Sequence, residues 1–259
     1  MPPLFARLRR KKIDIPYCTA VVPAAGSSTR MGEDKILLPL GDQPVLVRTL
    51  LALEACPLIQ EIVVVTREDL IVPVSQLCRD YGLGKVHQIV VGGATRTLSV
   101  LAGIREASRE TGLIAIHDGA RPFVTQEVLE AAIRKAAECG AAAPAVPVTD
   151  TIKRARDGVV EETLDRETLF AIQTPQVFEA SLLKAALQKA AEDGVTLTDD
   201  CAAVERLGMR ISLTDDCAAV ERLGMSVALT PGDPSNLKLT TPEDLDLGLG
   251  ILQGRGELL

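Results

Sequence analysis

Strand-like and helix-like stretches alternate along almost the whole chain, and that alternation restricts its fold more than any single motif does. Runs of β-branched and small apolar residues at 19–22, 62–66, 86–91, 113–117 and 143–148 read as short buried strands. Between them, 44–55, 69–81, 96–110 and 125–139 carry apolar residues at helical spacing. Repeated strand-helix-strand units imply an α/β fold, a mostly parallel sheet covered on both faces, in three layers. Ligands of such sheets gather at the carboxyl ends of the strands. Four segments follow strand ends here and are expected to meet: 23–35, 92–99, 118–121 and 149–153.

In the first of these, Pro23 ends the strand ladder because it has no N–H. Ala24, Ala25, Gly26, Ser27 and Ser28 are all small, so main-chain N–H groups can approach a ligand and form an anion site. Arg30 and Lys35 add two cations close by, the arrangement a polyphosphate requires. A plain strand-to-helix turn with two solvated charges is the alternative. Neither GxGxxG nor a P-loop lysine pattern is present. Gly92 and Gly93 open a second loop, with Ser99 offering a hydroxyl and Thr95 placed to cap the next helix. Asp118 and Arg121 stand three apart, held by Gly119 and Pro122; such a pair is costly to bury without a task, and is worth little if it is only a surface salt bridge. From 147 to 170 the chain is polar, and Asp157-Gly158 reads as the turn of a hairpin. Near the end Lys238 interrupts an apolar-alternating run, and Thr241 with Pro242 starts a last helix.

Composition narrows the partners. Aromatics are 2% of residues, too few for stacking on a nucleic acid strand, and a net charge of -7 also argues against a general nucleic-acid binder. An anionic substrate then needs a local cluster of cations. The six cysteines are scattered with no CxxC, which reads as buried reduced thiols in a cytoplasmic protein. With only two histidines, a metal held by protein alone is not expected. No apolar run is long enough to span a membrane, and residues 1–17 form a basic tail without the apolar core of a secretory signal.

Five separated stretches, VVPAAGSSTRMG with Lys35, GGATRTLSV, HDGARP, QTPQ and NLKLTTPEDL, occur in that order. Together they resemble the 2-C-methyl-D-erythritol 4-phosphate cytidylyltransferase family of nucleotidyltransferases, over about 19–250. The resemblance implies a Rossmann-like sheet in one domain from 18 to 259, with 147–170 as a protruding β-arm that clasps a second subunit in a homodimer. It implies transfer of CMP from CTP to 2-C-methyl-D-erythritol 4-phosphate, with Mg²⁺ carried mainly by the CTP phosphates and no protein ligand assigned. Pro23, Ala24, Ala25, Gly26, Gly92, Gly93 and Ser99 would surround the nucleotide. Arg30 and Lys35 would stabilise charge on its phosphates. Asp118 would take substrate hydroxyls and Arg121 a phosphate, Arg166 and Lys238 would hold the attacking phosphate, and Thr151 and Thr240 would complete the substrate site. Two other readings stay open at this point: a ribitol-5-phosphate cytidylyltransferase, and a nucleotide-binding module inactivated by a duplication.

That duplication departs from the family pattern. LTDDCAAVERLGM occurs at 197–209 and again, unchanged, at 213–225. Such a fold has room for one such helix. Because the second copy leads directly towards Lys238, the expectation is that 213–229 fills the native slot and 197–212 is extruded, exposing Val204 and Leu207.

Overall fold

In a strand with both faces covered, successive side chains enter opposite layers. The first strand, β1 (Cys18–Pro23), does this: Ala20 and Val22 pack on one side and Val21 on the other, all fully buried. The computed structural model describes residues 14–26, 34–195, 197, 199–206 and 227–258. After β1 come a two-residue hairpin, β2 (Pro39–Leu40) and β3 (Gln43–Pro44), then α1 (Val45–Glu54), β4 (Glu61–Thr66), α2 (Ile71–Asp80), β5 (Val86–Val91), α3 (Arg96–Glu106), β6 (Leu113–Ile116), α4 (Gln126–Cys139) and β7 (Ala141–Pro147). These match the predicted strands and helices within a few residues. Helix α3 stops early, at Glu106, because Ala107 turns extended and the next N–H, of Ser108, donates to Oε2 of the buried Glu61.

Strands β5, β4, β1 and β6 lie side by side and parallel. Strand β5 is the edge of the sheet and is only half-buried, unlike the buried strand its composition suggests. Beyond β6 the sheet continues through β11 (Gln176–Glu179), which runs antiparallel to both β6 and β7. Strand β10 (Phe170–Ile172) pairs antiparallel with the far end of β7, and β12 (Ala228–Pro231) pairs parallel with β7. The sheet is therefore mostly parallel, as the alternation implied.

Helices α1, α2 and α4 cover one face. The other face carries α3, α5 (Ala180–Glu192) and α6 (Asp200–Arg206), giving the third layer. Close approach of α3 depends on Gly103, where a Cβ would come within 2.5 Å of Val21 Cγ1. The final helix, α7 (Pro242–Arg255), packs with Leu40, Val45, Phe123 and Leu239 in a small separate core beside the strand ends. Between β7 and β10 the chain leaves the sheet as a hairpin, β8 (Lys153–Arg156) and β9 (Val159–Thr163). Its turn is Asp157-Gly158, both left-handed with φ of 49° and 79°, as that dipeptide favours.

The expectation about the repeat is corrected for its helix, while residues 228 and 229, at the end of the range expected to fill the slot, do enter the sheet in β12. Helix α6 comes from the first copy, and Cys201, Ala203 and Val204 are buried against α3, α5 and the sheet. Residue 207 and the second copy lie outside the described residues. Since the copies are identical, sequence favours neither. The decision is tertiary: Gln176 of β11 accepts from the N–H groups of Asp200 and Cys201 through Oε1, which ties the first copy to the sheet. Removing one period, 197–212 or equally 210–225, yields the same polypeptide. That product retains one intact unit leading into β12. We expect it to be soluble and active, with an unfolding temperature equal to or above that of the parent. Loss of folded enzyme in a thermal melt would mean that both copies are integrated in the fold.

Candidate active site

At the carboxyl ends of β1, β5 and β6 lies a cavity of about 420 Å³. Its lining includes Pro23, Ala24, Ala25, Gly26, Lys35, Gly93, Ser99, Asp118 and Lys238 of the predicted residues. Ile36, Ala94, Thr95, Arg96, Gly119 and Ala120 complete it. Gly92 and Arg121 are outside the lining but neighbour its residues Ser99 and Asp118, while Thr151, Arg166 and Thr240 are not among the lining residues. Arg30 lies outside the described residues.

Each wall has a local cause. Ala24 N–H donates to Val65 O at 2.7 Å, so the small-residue loop starts clamped to β4. The other end of that loop is latched by Asp34, which takes a bidentate pair from Arg67 at 2.6 and 2.8 Å. This hydrogen-bonded guanidinium holds the Asp34 carboxyl below its ordinary range. Neither residue stands out in the sequence, because a latch across 33 positions leaves no local pattern.

Thr95 caps α3, as its position suggested, by accepting from Leu98 N–H. Ser99 Oγ accepts from Gly93 N–H at 3.1 Å, and its proton lies between Thr95 O and Gly93 O at 2.9 and 3.2 Å. The hydroxyl thus shapes the loop as well as lining the cavity. A Cβ on Gly93 would come within 2.4 Å of Leu98 Cβ, so only glycine permits this tight return.

Asp118 is the electrostatic centre. Its Oδ2 lies 2.9 Å from Lys238 Nζ and 3.4 Å from Arg121 Nε, and Oδ1 lies 3.9 Å from Arg96 Nη2. Burial pushes this carboxyl up, but Lys238, Arg96 and Arg121 outweigh it and hold the pKa at about 2. Lys238 is brought here by three long-range contacts. Leu239 N–H donates to Ala120 O, Arg121 Nη1 donates to Asn236 O, and buried Asn236 donates through Nδ2 to Thr174 O.

Beneath Asp118 runs a buried chain of hydrogen bonds. Asp118 N–H donates to Thr174 Oγ1 at 3.2 Å, which leaves the threonine hydroxyl to donate to His117 Nδ1 at 3.0 Å. His117 Nε2–H then donates to Arg121 O at 3.2 Å. That order fixes the imidazole as the neutral Nε2–H tautomer. Burial drives its pKa down from 6.5 to about 4. The unfolded chain therefore binds a proton between pH 6.5 and 4 that the folded chain refuses. His117 should contribute stability that is full above pH 6.5 and declines by up to about 3 kcal/mol as the pH falls to 4. In urea unfolding at pH 7, 5.5 and 4.5, His117→Gln should flatten that decline relative to the parent. An unchanged slope would exclude His117 as its source.

Arg96 lies within the GGATRTLSV stretch, where nothing marks it as a site residue, yet it forms one wall. Its Nη2 lies 2.7 Å from Oδ2 of Asp200, an α6 residue only 1% exposed. The exposed arm holds Arg166 at its base, with Nη1 donating to Thr149 O. Thr240 is used locally, since its N–H and hydroxyl both donate to Asp244 Oδ2 at the start of α7.

A loop of small residues, a buried carboxylate and three cations meet at the sheet ends, an arrangement able to hold a polyanion. A model of the 2-C-methyl-D-erythritol 4-phosphate cytidylyltransferase family matches residues 18–213 and 210–253. The chain belongs to that family. The match divides inside the repeat, so most of the chain on either side follows the family pattern. A relative of that name from Halalkalibacterium halodurans is 42% identical over 236 residues, which is 90% of this chain and 96% of the relative. One from Symbiobacterium thermophilum is 42% identical over 238 residues, 91% of this chain and 92% of the relative. The crystal structure of 4-diphosphocytidyl-2C-methyl-D-erythritol synthase from Anaerococcus prevotii superposes with a TM-score of 0.79 at 30% identity, covering 93% of this chain and 98% of that one. The Thermus thermophilus cytidylyltransferase gives 0.70 at 30% identity, covering 90% and 98%.

Proposed function

We propose that this chain transfers CMP from CTP to 2-C-methyl-D-erythritol 4-phosphate, releasing pyrophosphate and forming 4-diphosphocytidyl-2-C-methyl-D-erythritol, a step towards isoprenoid precursors. The observation that carries this reading is the convergence of Lys35, the 23–26 loop, Asp118 and Lys238 on one cavity in a chain of this family. The nucleophile, a phosphate oxygen, is already an anion and needs no base. Catalysis is then positioning and charge stabilisation around an in-line displacement at the α-phosphorus. The loop after Ala24, whose own N–H is given to Val65 O, and the Lys35 ammonium would neutralise the triphosphate, and Arg30 is assigned to the same task.

Asp118 and Lys238 pair with each other across the cavity wall. A ribose hydroxyl arriving at the carboxylate frees the ammonium for the incoming phosphate, so nucleotide binding prepares the second substrate's site. One route to a module inactivated by the repeat was a displaced Lys238, and the placement of this lysine in the cavity lining speaks for the active enzyme.

Mg²⁺ would lower the charge on the triphosphate oxygens. Among the described residues no three His, Cys, Asp or Glu side chains cluster to cage a metal. Asp118 is the carboxylate of the lining and is shared by cations. That donor set suits an ion that arrives on the nucleotide and keeps water ligands.

The arm supports a homodimer. Every residue of β8 and β9 is exposed, and Val159 and Val160 keep 68% and 56% of their surface. A second copy covering these valines would bring its cavity towards Arg166 and Thr151. No helix of the described residues is long and apolar enough to cross a membrane, and we place the reaction in the cytoplasm.

Pyrophosphate release tests the activity. It should require CTP, Mg²⁺ and 2-C-methyl-D-erythritol 4-phosphate together, with ribitol 5-phosphate giving far less. Equal rates with ribitol 5-phosphate would reassign the acceptor, and no release with either would remove the reading. In the same assay, Arg166→Ala and Lys35→Ala proteins that exchange subunits should regain part of the lost rate if the arm acts across the dimer.

A further inference from the structure

Arg96 stands between two carboxylates. Asp118 faces it from the end of β6 and lines the cavity; Asp200 faces it from α6 and does not. Asp200 is a costly residue to place there. Its side chain is 1% exposed, and neither carboxylate oxygen receives an aligned hydrogen bond among the described residues. The 2.7 Å ion pair with Arg96 is what opposes its burial. A buried charge pair of this kind is a poor way to stabilise a fold, since apolar residues of the same volume do as well or better. Its benefit lies in where it puts the guanidinium. Arg96 keeps 30% of its side-chain surface open and lines the cavity on the same helical turn that carries Ser99. A guanidinium has five N–H donors in a fixed fork, so donors remain for a ligand oxygen after Asp200 is served.

We propose that Asp200 is a positioning residue that holds Arg96 as a further nucleoside-binding group, acting on the ribose or base half of CTP beside Asp118. The tandem segment then contributes to nucleotide binding through its first copy. The inference rests on the cytidylyl-transfer reading of the cavity. It concerns the nucleoside of CTP, because Arg96 lies on the glycine-loop wall beside Ser99, whereas the acceptor phosphate is assigned to Lys238 and Arg166.

The test replaces Asp200 by Asn together with Asp216, its counterpart in the identical second copy. Losing a hydrogen bond to a charged group should raise the KM for CTP about tenfold. The kcat and the KM for methylerythritol phosphate should change by less than about threefold, since no group on the reacting phosphates is touched. Arg96→Met should give the same split. A second variant, Arg96→Met with Asp200→Leu and Asp216→Leu, removes both charges and fills the volume, so it should fold and still show the raised KM. An unchanged KM for CTP in any of these overturns the proposal. So does a parallel loss in all three parameters with a falling unfolding temperature, or failure of both the Asn and the apolar variants to fold, because the pair would then be structural. Calorimetric binding of CTP alone carries the same comparison. A parent protein that binds CTP but releases no pyrophosphate would count against the activity and leave the pair intact.

Discussion

Lys35→Met lowers kcat by about 100-fold, the scale of losing one donor that meets charge developing in the transition state. Lys35 is half-buried on the cavity wall, directly after the Asp34–Arg67 latch. Its backbone is therefore held whether or not the ammonium is present. The unfolding temperature should stay within a few degrees of the parent, and KM for methylerythritol phosphate should hardly move. Pyrophosphate release under saturating substrates measures this directly. Near-normal turnover would remove Lys35 from the catalytic role, and Arg30→Met should match it if both serve the triphosphate.

Asp118→Asn has the larger total effect because it damages fold and function together. Three cations converge on this carboxylate, and its pKa of about 2 records how strongly they hold it ionised. An amide leaves Arg121, whose side chain is only 13% exposed, beside a partner without charge. Breaking a buried pair in this way costs roughly 3 kcal/mol or more. The Asn carbonyl still accepts from a ribose hydroxyl, so some nucleotide binding survives. Lys238 loses its 2.9 Å partner, however, and is no longer parked where the second substrate arrives. We expect kcat/KM for CTP to drop by about 100-fold, with a lower midpoint in urea. Retention of parental stability would mean that the cations find another partner, and retention of kcat/KM would remove Asp118 from the site.

Much of this architecture is legible in the order of the residues. Continuous apolar runs and helical spacing are local, so β1, β4, β6, β7 and helices α1 to α4 can be read from short windows. The rule that ligands meet the carboxyl ends of parallel strands groups the described parts of 23–35, 92–99 and 118–121 correctly but not 149–153, which does not line the cavity, and Lys238 joins through its motif. What stays hidden depends on residues far apart. Strand β11 is four residues long and its place between β6 and β7 follows from pairing, not composition. Arg67 and Asp34 look like ordinary surface charges until β4 and the loop are side by side. Asp200 looks like a helix-start acid until α6 is packed against α3.

The repeat marks the boundary most sharply. The sequence by itself determined the fold class, the family and the loops that line the cavity, because each is written in neighbouring residues. It could not choose between two identical copies, since identical residues carry identical propensities. Only the tertiary structure made that choice, because the slot is defined by Gln176, Arg96 and the apolar face of α5, and the first copy meets them there, burying Val204 and pairing Asp200 with Arg96 behind the cavity.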